Sequence, residues 1–477
     1  PRSSGPEGAM LAELITGIRQ QKKLVGLAAT VLVDGQVVAT AADGERKKGS
    51  GRPIELEDRW HLGSVTKSIT ATMIARLVES GKMHWTDTVG DSFPDAAVHE
   101  DWKPVTLRQL LTHSSGAPAN FSLKVMLKQP ALGAECTRER REAVLGVIAG
   151  KPEHTPGGTF SYSNVGYTIA GAMAEQATGS SWSDLVKREV FEPLELAGAG
   201  FGPPKSPSET LDQPRGHRPI FGWKMSATDE TDNTPIIGPA GIVHMTLGDL
   251  SLYLAEHLSG ELGAGRLLSA ETYRQLHTPE LDDYACGWVK KKPNYEIPHE
   301  VYWHNGSNTM WYALVVFIPG KKMAVAVTSN DGDIEPAQSA AWEIVNTVAG
   351  RFRAEDDAAL RKALPSGALP KKSPFAAVRW QEFDPEVRVG GEWYALVSLD
   401  EEAAADIVTF CRETYGENWR KRFEEDLVEV LFRMGHEPKQ AVRLAVRPVG
   451  STETRILEDV AMTEENRIAI RKAAAAR

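Results

Sequence analysis

Strand-like runs lie near both ends of a long first segment, and helical patterns fill the sequence between them. Near the start, Leu27–Val33 and Val37–Ala42 have the composition of strands joined by a tight turn. Two further apolar runs of strand length, Tyr312–Ile318 and Ala324–Ser329, lie about 270 residues further along the chain. The pattern predicts an α/β or α+β sandwich, in which one sheet is built from both ends of the segment and carries an all-helical insert.

Composition divides the 477 residues into three segments, because this length exceeds that of one ordinary domain. Residues 1–352 hold the predicted α+β domain. Residues 353–373 are charged and alanine-rich and then rich in proline, which predicts a linker. Residues 374–477 predict a small α+β domain of unknown role, since they contain no recognisable catalytic constellation.

The C-terminal segment alternates between strand and helix patterns. In chain order we predict strands over Ala376–Phe383 and Trp393–Leu399, helices over Glu402–Tyr415 and Trp419–Met434, strands over Ala441–Pro448 and Arg455–Val460, and a terminal helix.

Charge and composition exclude several classes of function. The net charge is −10 without a basic stripe, so we expect no nucleic-acid partner. No apolar run approaches the roughly 20 residues of a membrane span. The three cysteines are far apart, and His299 and His304 fall on opposite faces of a predicted strand. We therefore expect neither a metal nor a cofactor.

The tetrapeptide Ser64-Val65-Thr66-Lys67 precedes an apolar helical run. A spacing of three residues places the hydroxyl and the amine on one face of a helix. A helix N-terminus also supplies free N–H groups and partial positive charge. This combination is typical of an activated serine nucleophile.

Two further motifs follow in the sequence. Tyr162-Ser163-Asn164 stands between a glycine-rich turn and a helical pattern, and His304-Asn305-Gly306-Ser307 ends a predicted strand. In this order and with these residue types, the three motifs resemble those of the serine β-lactamase/penicillin-binding protein superfamily. The class C β-lactamase, esterase and D-peptidase branch is most similar, over roughly residues 10–352.

The resemblance implies an α+β, β-lactamase-like fold, in which an antiparallel sheet is flanked by helices and carries an all-helical insert. It also implies a role for each motif residue. Ser64 would be the nucleophile, Lys67 and Tyr162 a general base/acid pair, and Asn164 a positioning residue. His304, Gly306 and Ser307 would line the substrate edge of the strand. The N–H groups of Ser64 and Ser307 would form the oxyanion hole.

The third motif departs from the lysine that is usual in β-lactamases. His304 is mostly neutral at pH 7 and reaches less far. The resemblance therefore implies an ester, an amide or a D-amino-acid peptide as the small-molecule substrate. A true β-lactamase or D-Ala-D-Ala carboxypeptidase is the alternative, and a β-lactam-binding module without turnover is a third. The resemblance also implies a periplasmic or secreted enzyme, although no export signal is visible. The oligomeric state stays open.

Structural explanations compete with the catalytic ones at every position. Ser64 could cap its helix, Tyr162 could be a core aromatic residue, and Asn164 could cap the helix after it. His304 could be a structural histidine and Gly306 a bulge. Residues that could line a pocket, or equally belong to the core, are Trp223, Tyr284 and Trp311. We expect His113 to shape a loop under the site and Cys286 to be a buried, inert thiol.

Overall fold

The computed structural model describes residues 1–205, 210–228, 230–365 and 368–475. The chain forms two compact units, Pro1–Asp357 and Ala358–Arg477. The boundary falls inside the segment 353–373 that the sequence predicts to be a linker, and this segment contains a helix, Asp357–Ala363.

The first unit contains twelve strands and twelve α-helices among its described residues. The strands are β1 (Arg2–Ser4), β2 (Gly26–Val33), β3 (Gln36–Gly44), β4 (Arg59–His61), β5 (Gly200–Phe201), β6 (His217–Ile220), β7 (Trp223–Ser226), β8 (Val243–Thr246), β9 (Val289–Lys291), β10 (Val301–Ser307), β11 (Tyr312–Ile318) and β12 (Met323–Ser329). The helices are α1 (Gly8–Lys22), α2 (Thr66–Glu79), α3 (Val89–Ser92), α4 (Leu107–Leu111), α5 (Leu123–Met126), α6 (Ala134–Ile148), α7 (Asn164–Thr178), α8 (Trp182–Val186), α9 (Gly238–Gly241), α10 (Leu247–Glu261), α11 (Ala270–His277) and α12 (Ile334–Arg351).

The main sheet is antiparallel and has the strand order β1-β3-β2-β12-β11-β10-β9. Strand β2 pairs directly with β12, with Ala29 opposite Val327, so the two ends of the unit meet in the centre of the sheet. This arrangement confirms the sheet predicted from the strand-like runs at both ends.

Both faces of the sheet are covered, because alternate residues along each strand point to opposite sides. On β11, Val315 and Phe317 join the core beneath the helical insert. Leu314 and Val316 join a second core, which α1 and α12 cover. Burial on both faces explains why this strand is apolar without alternation.

The insert is mainly helical, but it also contains short strands that the prediction of an all-helical insert omits. Strands β4, β8 and β5 form a small antiparallel sheet, and β6 and β7 form a hairpin. His61 of β4 lies opposite His244 of β8, so that a distant part of the insert holds the segment immediately before Ser64. In the described part of the chain, no helix has both the length and the apolar character needed to cross a bilayer.

After the connecting helix α13 (Asp357–Ala363), the second unit builds its own sheet and core. Its sheet has the order β13-β14-β15-β17-β18, with β16 paired to β15. The elements are β13 (Ala377–Gln381), β14 (Asp384–Val389), β15 (Glu392–Leu399), β16 (Glu402–Ala403), α14 (Ala404–Tyr415), α15 (Trp419–Glu425), α16 (Leu427–Arg433), β17 (Ala441–Pro448), β18 (Arg455–Ala461) and α17 (Glu464–Ala475).

The predictions for the second unit omit one strand and treat two helices as one. The predicted strand 376–383 is present as β13, and it pairs with β14, a strand that the prediction does not include. The predicted helix 419–434 is interrupted at Asp426, which adopts φ −127° and ψ 33°. The Asp426 carboxylate accepts hydrogen bonds from Lys371 and Arg467, which belong to other segments of the unit, and these tertiary contacts favour a break that the helical periodicity does not reveal.

Candidate active site

Ser64 lies in the middle of a 3₁₀ turn, Gly63–Val65, that runs directly into α2. Gly63 has φ +49°, in the left-handed region that glycine adopts without strain. The Gly63 N–H donates to His61 Nδ1 at 3.1 Å. The turn is therefore fixed by its own glycine and by β4, and it presents Ser64 at the N-terminal end of a buried helix.

The end of β10 packs against this turn through backbone contact. A β-carbon on Gly306 would overlap the Ser64 nitrogen, and one on Gly63 would overlap the Ser307 nitrogen. Glycine is thus required at position 306 by the neighbouring backbone, whereas the sequence analysis attributes it to room for substrate. The contact brings the backbone nitrogens of Ser64 and Ser307 to neighbouring positions beside the Ser64 side chain.

Lys67 is completely buried, and its amine lies among oxygen atoms. The Nζ atom is 3.0 Å from Ser64 Oγ, 2.8 Å from Asn164 Oδ1 and 2.9 Å from the Ala240 carbonyl oxygen. Among the described residues, Lys67 makes no ion pair with a carboxylate. Burial without a counter-charge holds the pKa of Lys67 well below its usual value of 10.5.

Asn164 is the first residue of α7, but the cap of that helix is Ser163. The Ser163 hydroxyl accepts the Gly166 N–H, which leaves the Asn164 amide free to face the site. Asn164 Nδ2 donates to Asn120 Oδ1 at 2.7 Å. This bond fixes the orientation of the amide, with Oδ1 towards Lys67.

Tyr162 remains partly exposed, while its hydroxyl reaches Ser64. Burial raises the pKa of Tyr162 to about 12, against the opposing effect of its hydrogen bond with Ser64. The Lys67 amine stands 4.7 Å from the centre of the Tyr162 ring. On the other side, the ring of His113 contacts Tyr162 at a centroid distance of 4.4 Å, and His113 Nδ1 accepts the Ser163 N–H. His113 thus supports the loop under the site, in agreement with its predicted structural role.

The structure corrects the expectation that His304 faces the substrate. His304 is buried, and its Nδ1–H donates to the Asn305 carbonyl oxygen at 2.6 Å. Its Nε2 therefore accepts from the Tyr284 hydroxyl at 2.9 Å. Burial and the nearby Lys67 lower the pKa of His304 to about 3. This histidine is neutral, and both of its nitrogens are occupied.

A cavity of about 210 Å³ opens over Ser64. Its lining combines residues of the three motifs with residues of distant loops, namely Ser64, Asn120, Met126, Asn164, Arg218, Asp232, Asn233, Ile237, Ala240, Gly241, Ser307, Asn308, Thr309 and Met310. The cavity is thus largely formed by side chains that no motif identifies.

The two charged residues of the lining differ in how their charge is compensated. Asp232 accepts hydrogen bonds from His61 Nε2 at 3.0 Å and from Asn308 Nδ2 at 2.8 Å. Arg218 is exposed, donates to Thr309 Oγ1 at 3.3 Å, and has no carboxylate partner within the described ranges. Arg218 is therefore the cation available to a ligand in this cavity.

Ala240, Arg218 and Asp232 are not identified as site residues from the sequence, because none of them belongs to the three motifs. Of the aromatic residues left open between pocket and core, Trp311 and Tyr284 are buried and Trp223 is exposed on β7. Cys286 is buried, and burial raises the pKa of its thiol to about 11, as expected of an inert cysteine.

Comparison with known proteins gives the family of this unit. The model of the beta-lactamase family matches residues 11–349, so the chain belongs to that family. Its relatives place it among the serine hydrolases of this family. Penicillin-binding protein 4 of Amycolatopsis lactamdurans is 28% identical over 67% of this chain and 84% of the relative. The D-alanyl-D-alanine-carboxypeptidase/endopeptidase AmpH of Escherichia coli is 24% identical over 63% of this chain and 78% of the relative.

Solved structures share the fold. The octameric penicillin-binding protein homologue from Pyrococcus abyssi superimposes with a TM-score of 0.59 at 22% identity and covers 81% of this chain and 89% of that chain. SurE superimposes with a TM-score of 0.58 at 19% identity, over 81% of this chain and 86% of that chain. These likenesses support the β-lactamase-like α+β fold of the first unit.

Proposed function

We propose that this serine hydrolase cleaves an ester or amide bond through an acyl-enzyme on Ser64, and that its substrates are small esters, amides or D-amino-acid peptides. The observation that carries the proposal is the Lys67 amine, which is buried without a carboxylate and lies 3.0 Å from Ser64 Oγ. Because burial lowers the pKa of Lys67, its amine loses the proton more readily than an exposed lysine does, and a neutral amine can act as a base.

The contacts of Lys67 favour a particular orientation of the neutral amine. Its two hydrogens can bond to Asn164 Oδ1 and to the Ala240 carbonyl oxygen, since both atoms only accept. The lone pair then faces Ser64 Oγ. In this orientation Asn164 and Ala240 position the base, and Lys67 is the group that takes the proton of Ser64.

The pKa of Tyr162 supports a complementary role. At about 12 it keeps the phenol protonated in the neutral range, so Tyr162 is better suited to give a proton than to take one. We infer that Ser64 Oγ attacks the carbonyl carbon as Lys67 accepts its proton, and that the oxyanion bonds to the N–H groups of Ser64 and Ser307. Tyr162 then protonates the leaving group as its bond to the carbonyl breaks. In deacylation the Tyr162 phenolate takes a proton from the attacking water, and Lys67 returns its proton to Ser64 Oγ as the acyl group leaves.

A D-Ala carboxypeptidase activity is the second candidate, and Arg218 favours it. Because His304 has no free donor, the exposed guanidinium of Arg218 is the cation that could pair with a substrate carboxylate in this cavity. Release of D-alanine from a peptide ending in D-Ala-D-Ala would support this candidate over a simple esterase. The relative AmpH is named for this activity.

The experiment that tests the proposal is an intact-mass measurement after brief incubation with a β-lactam, with p-nitrophenyl acetate turnover in parallel. We expect an adduct and ester turnover in the wild type, and a loss of both in Ser64→Ala, with the unfolding midpoint unchanged. Loss of the Ser64 hydroxyl removes the nucleophile, so the rate should fall by roughly 10³-fold or more. Retention of most activity by a folded Ser64→Ala protein would contradict the assignment.

A further inference from the structure

The hairpin formed by β6 and β7 presents one face to solvent, and this face continues from the Ser64 cavity. Arg218 pairs with Met225 and Ile220 pairs with Trp223 in the register of the hairpin. Directly opposed residues, and residues two apart on one strand, share a face of a β-ribbon. Arg218, Ile220, Trp223 and Met225 therefore lie on the same face.

The opposite face of the hairpin is fixed to the body of the unit. His217 is buried, and its Nδ1 bonds to the Asn330 carbonyl oxygen at 2.8 Å. The Lys224 amine lies 2.9 Å from Asp331 Oδ1 and 2.8 Å from Asp333 Oδ2. The hairpin is thus anchored by one face, and its orientation relative to the cavity is defined.

The free face is unusually apolar for an exposed surface. Trp223 is 71% exposed, Met225 54% and Ile220 41%. On the fixed face, Lys224 and Ser226 are less exposed than their apolar neighbours along β7, so the usual burial preference is reversed in this strand. Contiguous exposed apolar patches are uncommon on soluble proteins, and they often mark binding sites.

We propose that the strip of Ile220, Trp223 and Met225 binds an extended apolar part of the substrate, such as a medium-length alkyl chain or an aromatic group. The inference rests on the proposed function, because it takes the reactive carbonyl to lie at Ser64. Its specific support is continuity: Arg218 lines the cavity and stands on the same face as the three apolar residues. A substrate group leaving the cavity past Arg218 meets the strip next.

The occupant is a substrate group because the cavity alone is small and largely polar. At about 210 Å³ it can hold the scissile bond and a small side chain, but a longer apolar chain must extend beyond it. The strip is open to solvent, so it can take chains of different lengths. Burial of each additional methylene group against Trp223 and Met225 should favour binding until the strip is covered.

The test compares p-nitrophenyl acetate, p-nitrophenyl octanoate and octyl acetate with the full-length enzyme. The octanoate carries the apolar chain on the acyl side and octyl acetate carries it on the leaving group. We expect kcat/KM for one of the long esters to exceed that for a short ester with the same kind of leaving group, which is p-nitrophenyl acetate for the octanoate and ethyl acetate for octyl acetate. The double variant Trp223→Ser/Met225→Ser should lower this ratio about tenfold. The ester that responds identifies which part of the substrate lies on the strip.

Two control variants remove exposed apolar residues elsewhere. Leu262→Ser removes a side chain that is 49% exposed at the end of α10, outside the cavity lining, and should leave the ratio unchanged. Leu127→Ser removes an exposed leucine next to α5, which contributes Met126 to the lining. A loss of chain-length preference in Leu127→Ser but not in the hairpin variant would overturn the proposal, as would the absence of any preference in the wild type.

A binding measurement separates this proposal from the proposed function. Calorimetry on Ser64→Ala should show N-octanoyl-D-alanine binding about tenfold more tightly than N-acetyl-D-alanine, and the hairpin substitutions should abolish the difference. If esters are not hydrolysed but this difference is present, the hydrolase proposal fails and the strip stands. If esters are hydrolysed but neither the long esters nor the ligand pair shows a chain-length preference that depends on the hairpin, or if the hairpin promotes binding to lipid vesicles instead, the strip proposal fails.

Discussion

Two buried lysines in the first unit differ in whether a carboxylate lies next to the amine. Lys67, in α2, is surrounded by neutral oxygen atoms and has no carboxylate partner among the residues that the structure describes. Lys321, in the turn before β12, is also buried but donates to Asp357 Oδ2 at 2.6 Å. Burial opposes ionisation of Asp357, yet the hydrogen bonds from Lys321 and His299 prevail and lower its pKa.

The difference shows how a buried charge can be interpreted. A paired lysine such as Lys321 holds two parts of the fold together through its ion pair with a carboxylate. An unpaired lysine such as Lys67 loses its proton more readily, because water no longer stabilises the ammonium form and no anion replaces it. Burial without a counter-charge is therefore the feature that favours a reactive group, and burial alone is not.

The largest expected effect distinguishes the two lysines by activity. Lys67→Met should lower ester turnover by roughly 10²–10⁴-fold, because it removes the proposed base from Ser64. Lys321→Met should keep turnover within about twofold, since Lys321 lies outside the lining of the cavity. The measurement is kcat/KM for p-nitrophenyl acetate, and comparable losses in the two folded variants would remove the distinction.

The second effect is on stability, and here the substitution of Lys321 is the damaging one. Lys321→Met leaves the buried carboxylate of Asp357 without its lysine, so the free energy of unfolding should fall by roughly 3 kcal/mol. Urea unfolding of wild type, Lys321→Met and the double variant Lys321→Met/Asp357→Asn measures this loss. Recovery of stability in the double variant would sharpen the comparison, because the unpaired charge is then gone. A wild-type midpoint in Lys321→Met alone would contradict it.

The third effect is a dependence of stability on pH at Lys67. The unfolded chain keeps the lysine protonated up to its usual pKa of 10.5, whereas the folded chain releases the proton at a lower pH. Between the two pKa values the unfolded state binds more protons, so the stability of the wild type rises with pH. Relative to Lys67→Met, the wild type should gain about 1.4 kcal/mol for each pH unit in this window.

This third prediction is measured by urea unfolding of both proteins at several pH values from about 7 to about 10. Their difference in stability cancels the titration of all other groups. A difference that stays constant over the range would mean that Lys67 remains an ammonium ion in the folded state, and the assignment of Lys67 as the base would then fail.

Much of the first unit could be predicted because its signals are local. The run Tyr312–Ile318 is apolar throughout and forms β11 with the predicted bounds. The spacing of Ser64 and Lys67 places their side chains together on one helical turn, 3.0 Å apart. The helix 419–434 could not be predicted as two pieces, since its interruption depends on cations that approach Asp426 from other elements.

The site is predictable only in part for the same reason. His304 is a strand-end histidine in the sequence, and the Tyr284 hydroxyl that occupies its Nε2 comes from a separate loop. Lys321 belongs to a Pro-Gly-Lys-Lys turn, a pattern typical of the surface, yet Asp357 and the Phe352 carbonyl oxygen enclose its amine. Neither outcome has a local signal, because both depend on segments that are distant in sequence.

The sequence by itself determined the α+β class, the strands at the two ends of the first unit, and the proximity of Ser64 and Lys67, because periodicity and short-range spacing act over a few residues. Tertiary contacts leave Lys67 buried without an anion among the described residues, occupy both ring nitrogens of His304, and place Arg218 beside an exposed apolar strip. These properties depend on which distant groups share a low-dielectric environment, and the free energy of a charge or of an apolar surface depends on that environment.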